Sequence, residues 1–122
     1  MLTARAENHL YEAGDLDDTI ARLIAYRDAG ADVVYAPGLA DVDRIAALVE
    51  AVGVPVNVLA LPSGPSISEL ASVGARRVST GGALARSAYG ALLSAAQELL
   101  ELGTSRYAEH SASRDALQSA FT

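Results

Sequence analysis

Hydrophobic positions along the chain change period four times, from short unbroken apolar runs to stripes at helical spacing. This is the pattern of parallel strands joined by crossover helices. Residues 2–6 read as the first strand. The helix after it opens with Asp15, Asp17 and Asp18, acidic residues favoured near a positive helix N-terminus, and sets Ile20, Leu23 and Ile24 on one face. It stops at Ala29-Gly30, where glycine can take the left-handed cap conformation. Residues 32–36 form a second strand, whose continuous apolar run suits a strand covered on both faces, and Pro37-Gly38 ends it. The spacing of Ile45, Leu48, Val49 and Val52 predicts a second helix over 42–52, closed by Gly53. A third strand over 55–61 has its proline at the entrance, where the missing N–H does least harm. The turn Pro62-Ser63-Gly64-Pro65 follows, and Ser66 or Ser68 caps a short helix that ends at Ser72 before Gly74.

The fourth strand spans 76–80, and Gly81-Gly82 leads into the longest helix, 83–102, rich in Ala and Leu and terminated by Gly103. Beyond it, 105–113 is a polar linker. Residues 114–121 form either an amphipathic helix with Leu117 and Phe121 on one side or a frayed tail. The expected division is therefore 1–104, four βα units, and 105–122, a linker and short helix. The first strand, 2–6, directly follows Met1, so no structure is expected ahead of it.

Composition narrows the chemistry. A chain of 122 residues builds one domain with a real core. Its apolar half is dominated by Ala, Leu and Val, with a single Phe and no Trp, which favours closely packed helix-on-sheet contacts. Absence of cysteine excludes disulfides, thiolate nucleophiles and cysteine metal sites. A formal charge of −6 and the lack of any lysine argue against nucleic acid as a partner. No stretch matches a membrane span or a secretory leader, so a cytoplasmic protein acting on small molecules or proteins is expected.

In parallel sheets ligands bind at the carboxyl ends of the strands. Those positions hold Arg5, Glu7, Asn8 and His9 after the first strand, Gly38 after the second, Asn57 on the third, and Ser79, Thr80 and Gly81 after the fourth. A guanidinium in an apolar strand must be paired or must face an anion, so Arg5 either forms an ion pair with Glu7, two residues along on the same face, or receives an anionic ligand. The two arrangements are compatible. Asn57 interrupts a buried strand, and its amide must bond either a ligand or a neighbouring strand. Gly81-Gly82 offers backbone N–H groups at a helix start, a weak signal that matches no phosphate-binding fingerprint. His9 and His110 lack metal-ligand spacing, and the acidic run Asp15, Asp17, Asp18 is explained by its helix start. No residue is assigned as catalytic or as a metal ligand within the chain itself.

The ordered series Thr3-Ala4-Arg5-Ala6-Glu7-Asn8, Ala29 through Gly38, Pro55-Val56-Asn57-Val58, Ser68-Glu69-Leu70 with Gly74, Arg76-Arg77-Val78-Ser79 and Gly81 through Tyr89 resembles the isocitrate lyase and phosphoenolpyruvate mutase superfamily. The resemblance implies an α/β fold of four consecutive βα units equivalent to the second half of a (β/α)8 barrel, with a C-terminal helical tail. It also implies Mg2+-dependent chemistry on C–C or P–C bonds of small 2-oxo or hydroxy acids and phosphonates. By the same resemblance Arg5 is the substrate-anion arginine, Asn57 the polar residue of the seventh barrel strand, and Glu7, Asn8, Gly38 and Gly81 support them. Glu7 stands where many members have Asp. The family's acidic metal ligands and mobile lid have no counterpart here, so the chain alone is expected to be inactive. An opened barrel exposes two strand edges and an inward face expected to be apolar, which calls for a partner, either a second copy or a separate N-terminal half. The C-terminal helices, which exchange between subunits in the family, are expected to mediate that assembly.

Overall fold

The computed structural model describes residues 1–122, which divide into two compact units, Met1–Gly81 and Gly82–Thr122. The first contains a four-stranded parallel sheet in chain order, β1 (Thr3–Arg5), β2 (Val33–Tyr35), β3 (Val56–Leu59) and β4 (Arg77–Ser79). Helices α1 (Leu16–Asp28), α2 (Val42–Val52) and α3 (Ile67–Ser72) connect them. The second unit holds α4 (Ala83–Leu102), a 3-10 turn (Arg106–His110) and α5 (Arg114–Ala120). All four βα units occur where the periodicity puts them, with strands one or two residues shorter at each end. The boundary between compact units falls before α4, because the chain after α4 is tied back to that helix. The repeat-based division at 104–105 follows chain order rather than contact.

Side-chain caps account for the starts of α1, α2 and α3, whereas α4 starts at Gly82 without one. The Asp15 and Asp41 carboxylates accept from the backbone N–H of Asp18 and Arg44, each at 2.9 Å. At α3, Ser66 and Glu69 form a reciprocal capping box, which stabilises a helix of only six residues. Gly53 ends α2 at φ 66, a left-handed conformation that a side chain would strain.

Leu23, Ile45, Leu48, Val52 and Leu70 are the buried helix side of the core, and Ala6, Val34, Ala36, Val56 and Val58 are its sheet side. Burying each large aliphatic contributes about 1.5–3 kcal/mol relative to leaving it in water. Because successive strand residues alternate sides, the residues between these core positions point to the other face of the sheet. That face carries Thr3, Arg5, Val33, Tyr35, Asn57, Leu59, Arg77 and Ser79, so the expectation of an apolar inward face is corrected: it is predominantly polar. The strands send their small apolar residues to the helices and keep their polar ones for the opposite side.

In the second unit, Glu98 staples the chain back after α4. One carboxylate oxygen accepts from Thr104 Oγ1 at 2.6 Å and from the Arg106 N–H at 2.7 Å, and the other accepts from the Tyr107 N–H at 3.1 Å. These bonds hold the Glu98 carboxyl below the usual carboxylate range, the Thr104 hydroxyl first among them. No residue of α4 is buried, and Leu84, Leu93, Leu100 and Leu102 are more than two-thirds exposed. Residues 114–120 are helical, with Ser113 as N-cap, which resolves the tail in favour of a helix. No helix is long and apolar enough to cross a membrane.

Candidate functional site

Strand register aligns one residue from every strand. Arg5 pairs with Tyr35, Tyr35 with Asn57, and Asn57 with Arg77, so these four form a single row across the face opposite the helices. Neighbouring strands lie about 4.8 Å apart, which puts the two arginines roughly 14 Å apart at Cα along the row. The next row toward the carboxyl ends includes Leu59 paired with Ser79.

Arg5 ends β1 with its side chain half exposed. Its Nη2 meets Glu7 Oε1 at 2.6 Å, and its guanidinium carbon lies 5.3 Å from the centre of the Tyr35 ring. The ion pair with Glu7 is therefore formed, and it leaves the arginine side chain half exposed. At this exposure the pair contributes about 0–1 kcal/mol, too little to explain a strand arginine by stability alone.

Asn57 is 1% exposed. Its Nδ2 donates to Ser79 Oγ at 2.9 Å and its Oδ1 accepts from Arg77 Nη1 at 3.3 Å. Both bonds reach β4, the structural arrangement weighed for this amide. Arg77 and Tyr35 are absent from the candidates derived from the sequence, although the strand-to-strand offset that aligns Arg5 with Asn57 also selects them. Lining the four strands up by their turn residues would have found both.

Asn8 and His9 lie in a 3-10 turn, Asn8–Leu10, after β1. Asn8 Nδ2 donates to Asp18, whose carboxylate also accepts from Arg22 Nε at 2.8 Å, with Arg22 the main cause of a lowered Asp18 pKa. His9 Nε2 is 3.2 Å from Oγ1 of the fully buried Thr19. The Thr19 hydroxyl donates its one proton to the Asp15 carbonyl at 2.8 Å, so Nε2 of His9 carries the proton of their shared bond. Burial first, and then the Arg44 guanidinium, hold the His9 pKa below its ordinary value. Gly38 sits at φ 90, where a Cβ would come within 3.2 Å of the His9 backbone. Asn8, His9 and Gly38 thus fasten the loop after β1 and set the position of Glu7. Gly81 lies between β4 and α4, its Cβ direction within 3.6 Å of Leu59.

A cleft of about 460 Å³ opens beside this loop, lined by Glu7, Asn8, Tyr11, Asp18, Arg22 and Tyr26. Its charges are already paired with one another or with Arg5, and the register row does not line it. No group of three or more His, Cys, Asp or Glu side chains is arranged to hold a metal ion. His110 lines an apolar groove between α4 and the tail.

The phosphoenolpyruvate phosphomutase family model matches residues 1–100. An uncharacterized protein of Mycobacterium tuberculosis (strain CDC 1551 / Oshkosh) is 41% identical over 81 residues, covering 66% of this chain and 31% of that protein. The structure of a candidate lyase/mutase from Burkholderia cenocepacia J2315 superposes with a TM-score of 0.88 at 54% identity, over 99% of this chain and 44% of that one. Oxaloacetate acetylhydrolase in complex with its product oxalate superposes with a TM-score of 0.74 at 27% identity, over 86% of this chain and 37% of that one. The chain thus spans about a third of its curated relative and less than half of these solved structures. With four ordered βα units and a family match over most of its length, the chain belongs to the phosphoenolpyruvate phosphomutase family, within the isocitrate lyase and phosphoenolpyruvate mutase superfamily of α/β barrels.

Proposed function

We propose that this chain supplies the substrate-anion half of a lyase or mutase acting on C–C or P–C bonds of small 2-oxo or hydroxy acids, as the C-terminal half of its barrel. The observation that carries this reading is the register row Arg5, Tyr35, Asn57 and Arg77 on the sheet face opposite the helices, with Tyr35 and Asn57 buried and the two arginines exposed at its ends. A guanidinium fork matches a carboxylate or phosphonate oxygen pair, and Glu7 and the Tyr35 ring hold that fork in orientation. Asn57, itself buried, orients the Arg77 guanidinium through its amide oxygen and Ser79 through its amide nitrogen.

Superfamily members use a divalent metal. The residues present here do not assemble a ligand set for one, so no step through Mg2+ is assigned to them. Metal ligands and lid are contributed by the other half of the barrel, whether a separate N-terminal segment or a partner chain, and by itself this chain binds the acid without turning it over. The exposed leucines of α4 supply apolar surface for that assembly.

Co-expression with the N-terminal half of a full-length relative tests the reading. The expected result is Mg2+-dependent turnover of a 2-oxo or hydroxy acid that disappears with Arg5→Gln. Absence of turnover with every such half contradicts it.

A further inference from the structure

We infer that Arg77, with Ser79 and Asn57, forms a second anion subsite at the β4 side of the sheet face, specific for a carboxylate or phosphonate oxygen. The inference rests on the reading of the sheet face opposite the helices as the substrate-anion surface, and it locates the uncompensated charge of that face.

Four ion pairs occur in the chain, Met1 with Asp32, Arg5 with Glu7, Arg22 with Asp18 and Arg27 with Asp28. Arg77 is in none of them. Of the two cations in the row, Arg5 is neutralised by a carboxylate at 2.6 Å, whereas Arg77 is held only through the neutral Asn57 amide oxygen at 3.3 Å. A guanidinium anchored by one hydrogen bond retains four N–H donors.

The surrounding groups are also donors. Ser79 Oγ accepts from Asn57 Nδ2, so its own hydroxyl proton is free for a ligand. The Asn57 oxygen, the acceptor that would repel an anion, is occupied by Arg77 itself. Asn57 is buried and fixed by β4 on both ends of its amide, so it cannot flip to offer that oxygen. A guanidinium in no ion pair and a free hydroxyl proton, both held by the buried Asn57 amide, make a donor set that favours a negative oxygen over a neutral acceptor and disfavours a cation.

Titration of the full chain with oxalate and with methylphosphonate, followed by amide chemical shifts, tests the subsite. Arg77→Gln is expected to raise Kd for oxalate, methylphosphonate or both by about tenfold or more, with Arg77→Lys intermediate because it keeps the charge and loses the fork. Which of the two anions responds assigns the subsite to carboxylate or phosphonate. Arg76→Gln removes the same charge one residue away and is expected to leave Kd nearly unchanged. The subsite is overturned if Arg77→Gln binds both anions like the parent chain, if Arg76→Gln weakens binding as much, or if the parent chain binds neither. Arg5→Gln, measured in parallel, reports on the Arg5 assignment separately: its loss of affinity without one in Arg77→Gln would uphold Arg5 and reject Arg77.

Discussion

Single residues in this chain are set by what their neighbours leave unsatisfied. Asn57 exchanges two hydrogen bonds with β4 in a buried position, so Asn57→Ala is expected to destabilise the fold by about 1–3 kcal/mol, measured by urea unfolding. His9 illustrates the same dependence on protonation. Its folded pKa lies below the reference value of 6.5, so the unfolded chain takes up the proton first as pH falls. The His9 contribution to stability is therefore constant above about pH 6.5 and declines as pH drops through that value toward the lower folded pKa. Unfolding midpoints compared for the parent chain and His9→Phe at about pH 7.5 and about pH 5.5 should show the parent losing more stability than the variant. Arg5 and Asn57 were legible in the sequence because a polar group inside an apolar run demands a partner. Arg77 was not, since a pair of arginines at the start of a short strand looks like solvated surface until register sets one of them beside Asn57.

At the scale of elements, helix starts were the most legible features, because a capping side chain acts within three residues. Asp41→Ala at α2 is expected to cost about 0.5–2 kcal/mol, read from thermal or urea unfolding, through loss of the bond to the Arg44 N–H. The 3-10 turns at Asn8–Leu10 and Arg106–His110 were not anticipated. Both depend on bonds from side chains 8 to 10 residues away along the chain, Asp18 and Thr19 for the first and Glu98 for the second, which no local pattern encodes. Glu98→Ala should release the second turn. Hydrogen exchange is expected to speed up at the Arg106 and Tyr107 amides while those of β2 and β3 keep their protection. Since the Glu98 pKa is lowered in the fold, this staple is present above the ordinary glutamate range and is lost as pH falls through the folded value.

The whole molecule combines a finished hydrophobic layer with an unfinished polar one. Its sheet and helices bury a core that the periodicity of the sequence already implied, and the same alternation delivers Arg5, Tyr35, Asn57 and Arg77 to the opposite side. What the sequence concealed was the character of that side. Only the strands taken together show that their off-core positions are polar, because each strand contributes a single residue to the row. Under the proposed function, anion recognition falls to these residues and the metal-dependent step of the superfamily to the other half of the barrel. Calorimetric titration of the chain with oxalate, with and without Mg2+, tests this separation most directly. The account predicts binding with Kd on the order of millimolar, the same with and without Mg2+ and weakened by added salt. Absence of binding, or binding that requires Mg2+, would contradict it.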